Sequence, residues 1–135
     1  MQSIMLLYAI GYDMTLAELV ENGFIAIDTG LLSISVYLTI VSGYLIVAYM
    51  AGNKLSRFQV YSISFLFVSF SLIMTLSTFA ALRNGMQLLA LTRPAEEVDL
   101  VSELLEFSVY GVALLELVGV FLALKFMSDE RGRST

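Results

Sequence analysis

Three stretches of the chain are almost free of charge and unusually long. Residues 29–53 read TGLLSISVYLTIVSGYLIVAYMAGN, and residues 58–82 read FQVYSISFLFVSFSLIMTLSTFAAL. Each exceeds the ~20 residues that a helix needs to cross the hydrocarbon core of a bilayer. Residues 107–124, FSVYGVALLELVGVFLAL, form a third run broken only by Glu116, and Leu104 and Leu105 extend it. The pattern predicts an all-α integral membrane protein with three transmembrane helices at 29–53, 58–82 and 105–126. The alternative for the third run is a buried or interfacial helix. The runs are too long for barrel strands and lack their alternation of polar and apolar residues. Residues 1–13 carry no basic region before their short apolar run, so no cleaved leader is expected.

The segments between the runs are short. Thr15 and Glu18 have the spacing of a capping box ahead of Leu16, Leu19 and Val20. That spacing predicts a short amphipathic helix at the outer membrane interface, ending at Asn22 and Gly23. The AGNKLSR stretch between the first two runs predicts a tight turn and antiparallel neighbours. Residues 83–104 are expected to form an outer loop, in which Pro94 opens a helix that continues into the third span. The chain thus reads as one membrane domain, 1–135. It divides into an outer N-terminal segment (1–28), the three spans, the outer loop and a tail (127–135).

Orientation is set by the basic residues. Lys54, Arg57, Lys125, Arg131 and Arg133 fall on one side, and only Arg83 and Arg93 on the other. The N-terminus is therefore expected outside and the C-terminus in the cytoplasm, with a bacterial inner membrane as the setting.

Composition supports lipid as the solvent. The chain is 59% hydrophobic and 14% charged, against roughly 45–50% and 25% in soluble domains. There is no Cys and no His, which removes disulfides, thiolate chemistry and the commonest metal and haem ligands. The net charge of -5, with no basic stripe, speaks against nucleic acid as a partner. No nucleophile elbow, phosphate loop or Ser–Lys arrangement occurs, so no enzyme activity, cofactor or metal centre is expected.

Polar residues recur at helical spacing within the spans. Asp28, Ser35, Thr39 and Ser42 share one face of the first, followed by Tyr49. Ser64, Ser71, Thr75 and Thr78 share a face of the second. Small hydroxyl residues let helices approach and hydrogen-bond across the contact, so both stripes are expected to form a packing seam, with a hydrated lining as the alternative. On the third span Gly119 and Ala123 share the face of Glu116 and complete that seam.

Glu116 is a carboxyl at mid-span, where an ionised side chain costs on the order of 3 kcal/mol even on lenient insertion scales. Two readings compete: a proton or cation site, or a protonated side chain that hydrogen-bonds to a neighbouring helix or to a second copy. No second buried acid or base stands ready as a relay. Glu96, Asp99, Glu103 and Glu106 form an outer acidic stripe, followed by Tyr110. It reads as a solvated face, with a cation vestibule or a dock for a basic partner as alternatives.

These features suggest a non-enzymatic small membrane subunit, whose partners are the bilayer and either copies of itself or other membrane subunits. An ion or proton pathway through Glu116 is the alternative. A membrane-resident immunity protein acting against a pore-forming toxin is a third reading.

Overall fold

The computed structural model describes residues 14–92 and 99–132, which fold into three helices. These are α1 (Leu16–Ala51), α2 (Arg57–Ala90) and α3 (Asp99–Gly132). All three are long and apolar enough to cross a membrane. At about 1.5 Å per residue, helices of 36, 34 and 34 residues run to roughly 50 Å, well past a hydrocarbon core of about 30 Å.

Local chemistry fixes the helix starts. The Thr15 amide donates to Glu18 Oε2 at 2.7 Å, and the Glu18 amide returns a bond to Thr15 Oγ1 at 3.3 Å. A second capping box opens α2: the Ser56 amide donates to Gln59 Oε1 at 2.9 Å, and the Gln59 amide donates to Ser56 Oγ at 3.3 Å. Between α1 and α2 the turn closes tightly, with Lys54 and Leu55 both donating to the Ala51 carbonyl.

Two expectations about the outer segments are corrected. The capping box starts a helix, but among the described residues no short interfacial helix exists, because α1 runs unbroken through Asn22 and Gly23 into the apolar stretch. Gly23 is not a terminator here; it lies against α2. A β-carbon on Gly23 would stand 2.9 Å from the Leu89 side chain, and one on Gly85 would stand 2.8 Å from the Gly23 carbonyl oxygen. The second correction is that residues 83–90 are not loop, since α2 continues to Ala90. Packing against α1 supplies the reason: Leu82 covers Gly30, and Gly85 meets the α1 backbone. Pro94 lies outside the described residues.

A few contacts set the register. Gly30 faces Leu82, Ser33 bonds to Ser77 at 3.1 Å, and Tyr44 stacks on Phe67 with ring centroids 4.0 Å apart, so α1 and α2 are antiparallel. Phe79 meets Tyr110 and Thr78 meets Glu116, so α3 is antiparallel to α2 and parallel to α1. The inner faces repeat every seven residues: Gly23, Gly30, Tyr37 and Tyr44 on α1; Ser64, Ser71, Thr78 and Gly85 on α2; Val109, Glu116 and Ala123 on α3. A seven-residue repeat keeps one seam turned toward its partners along a long helix. Small residues on it let the backbones approach closely.

The outer surface is apolar. Phe65, Leu115 and Phe121 are 71%, 72% and 68% exposed, among many large hydrophobic residues turned outward. So continuous an apolar surface suits hydrocarbon rather than water. The register sets Asp28, Arg83 and Glu106 at about one level, four or fewer residues beyond the Gly30–Leu82 and Phe79–Tyr110 contacts. On α3, Glu116 stands ten residues from Glu106 and nine from Lys125, or roughly 15 and 13 Å, near the middle of the apolar zone.

Candidate functional site

Glu116 projects from the inner face of α3 and is 4% exposed. All three helices build its surroundings. From α2, Thr78 Oγ1 donates to Glu116 Oε1 at 3.3 Å. From α1, the Tyr37 hydroxyl donates to the Glu116 backbone carbonyl. Gly119, one turn further along α3, leaves room for that hydroxyl, which a β-carbon there would strike. Val120 and Ala123 continue the buried face of α3.

The carboxyl is only half satisfied by protein. Glu116 Oε2 is buried without a protein hydrogen-bond partner, and so are Ser71 Oγ and Thr75 Oγ1 on α2. At positions 71, 75 and 78 these hydroxyls lie on one face of α2, the face that meets Glu116 through Thr78. The site therefore offers oxygen atoms alone, from one carboxyl and a short row of hydroxyls. Among the described residues no cluster of His, Cys, Asp or Glu could hold a metal ion.

The expected stripes have different fates. On α2, Ser71, Thr75 and Thr78 are buried, and Ser64 is half-buried with its hydroxyl 2.8 Å from that of Tyr44. Gly119 and Ala123 lie on the inner side of α3. The α1 stripe is corrected: Asp28, Ser35, Thr39 and Ser42 are exposed on the outside of the bundle. The α1 seam is instead Gly23, Gly30, Ser33, Tyr37, Tyr44 and Ala48. Two residues along a helix is about 200° around it, so Ser33 and Ser35 point opposite ways. Exposure of hydroxyls is tolerated because they bond to their own helix: Ser35 to the Leu31 carbonyl at 3.1 Å, Thr39 to that of Ser35 at 3.0 Å.

In the acidic stripe, Glu103 and Glu106 are exposed. Asp99 opens the α3 backbone, and Glu96 lies outside the described residues. Sequence reading missed Tyr37, Ser33, Ser77 and the glycine pair Gly30 and Gly85. The signal that marks most of the α1 seam is the seven-residue spacing of Gly23, Gly30, Tyr37 and Tyr44, which a search for hydroxyl residues passes over.

Comparison with known families, with curated proteins and with solved structures finds no match.

Proposed function

We propose that the chain is a non-enzymatic membrane subunit that assembles, with copies of itself or with other membrane proteins, through the outward face of α1. The observation that carries this reading is the exposed row of Asp28, Ser35, Thr39 and Ser42 on a bundle whose other outward residues are mostly large and apolar. Gly43 beside it has nothing within 4 Å. Helix–helix contacts in lipid favour small and hydroxyl residues, since there is little hydrophobic gain between apolar surfaces there. The three helices are already held together by the opposite face of α1, so this row is left for a further partner. The balance of basic residues supports a cytoplasmic α1–α2 turn and C-terminus and an outer N-terminus, as in a bacterial inner membrane.

The test is the mass of the purified protein in detergent. Wild type is expected to run as an oligomer or with a co-purifying subunit, and Ser35→Leu/Ser42→Leu as a folded monomer. A wild type that is monomeric and alone when extracted from its native membrane contradicts the reading.

A second reading, an ion or proton pathway component, is supported by the mid-span position of Glu116 and its unpartnered Oε2. A Glu116→Gln variant that assembles normally and yet loses ion or proton flux in liposomes supports it.

A further inference from the structure

We propose that the interior of the bundle binds water beside Glu116. Neither assembly through α1 nor net ion transfer is required for it. Three oxygen atoms, Glu116 Oε2, Thr75 Oγ1 and Ser71 Oγ, are buried and none is partnered by protein. Their residues are 4%, 6% and 0% exposed. Buried polar atoms are overwhelmingly hydrogen-bonded, to protein or to ordered water. Self-satisfaction on the helix is the usual escape, and Thr29, Ser33, Ser35 and Thr39 take it by donating to the carbonyl four residues back. Ser71 and Thr75 do not.

The guest must satisfy a carboxyl oxygen and two hydroxyls. Water does both, donating to the carboxyl and exchanging donor and acceptor roles with each hydroxyl. It needs roughly two to four polar partners, which this group provides. Thr75 and Ser71 stand three and seven residues from Thr78, about 4.5 and 10 Å along α2, so one guest cannot reach all of them and a short file of waters fits better.

The file is bounded at both ends. From Glu116 toward the outer ends of the helices the polar groups are used up: Ser33 donates to the Thr29 carbonyl and pairs with Ser77. Beyond that pair Leu82 lies on Gly30, and Gly85 lies against the Gly23 carbonyl. The unpartnered hydroxyls run the other way, toward the α1–α2 turn. They end at Tyr44, which is bonded to Ser64 and stacked on Phe67. Beyond that pair the seam is apolar, with Ala48, Val60 and Met127 buried, so the row of polar groups is enclosed on this side as well.

The test is water-edited nuclear magnetic resonance on the full chain in lipid nanodiscs, with threonine methyl groups labelled. Polarisation starting on water is expected to reach the Thr75 and Thr78 methyl groups early. Leu82→Val, beyond the Ser33–Ser77 pair, is expected to leave this transfer unchanged. Glu116→Leu should abolish most of it while methyl shifts elsewhere report a folded bundle. No early transfer to Thr75 and Thr78 in wild type overturns the water site. Transfer left undiminished in a folded Glu116→Leu variant overturns it as well.

Discussion

Glu116 joins all three helices through groups of different kinds. Its carboxyl accepts from Thr78 on α2, and its backbone carbonyl accepts from Tyr37 on α1. Glu116→Gln keeps an acceptor for Thr78 and should leave stability in detergent nearly unchanged. Glu116→Leu removes the acceptor and should lower stability by roughly 1–3 kcal/mol, the usual cost of leaving a buried polar group unpaired. Denaturation monitored by circular dichroism checks the pair, and equal stability of the two variants contradicts the bonding role. Gly119→Leu should disrupt the bundle, because any side chain there meets the Tyr37 hydroxyl. Phe65→Leu, on the lipid side, should be tolerated. At this scale Glu116 was legible because a lone acid in an apolar run has few bland explanations. Tyr37 was not, because a tyrosine among apolar residues gives no sign that its hydroxyl reaches across to another helix.

The elements are held by a repeat rather than by a stripe of one chemistry. Glycine, serine, threonine, tyrosine and alanine share the seam, selected by size and reach. Polarity therefore identified the seam on α2, where hydroxyls happen to fill it. On α1 it pointed to the opposite face, where hydroxyls bond to their own helix at no cost to packing. Glycine substitutions separate the two situations. Gly85→Ala places a methyl group 2.8 Å from the Gly23 carbonyl oxygen. Neither backbone can yield without parting α1 from α2, so the loss should be about 1–3 kcal/mol. At Gly111 nothing lies within 4 Å, and Gly111→Ala should gain up to ~1 kcal/mol from helix propensity. Thermal unfolding of the two variants should shift in opposite directions, and a gain at Gly85 contradicts the close approach. The helix ends show the same limit of local reading. The Thr15 box was visible, but it opens one long helix rather than a short one, because tertiary contact at Gly23 overrides its tendency to terminate.

For the whole molecule, three long apolar runs were enough to predict three membrane-length helices. The overhang was not legible, since residues 83–90 suit a loop or a helix equally until α1 is laid against them. The expected orientation can be read with single cysteines, because the chain has none of its own. Cysteine at Asn53 should be shielded from an impermeant thiol reagent in intact cells, and cysteine at Gln87 should be labelled. Labelling at 53 reverses the orientation. Assembly through α1 is tested most directly in the native membrane, by placing a small diazirine side chain at Ser35, Ser42 or Phe65 in turn. Illumination should join positions 35 and 42 to protein and position 65 to lipid. Capture of lipid alone at 35 and 42, as at 65, contradicts an assembly face on α1.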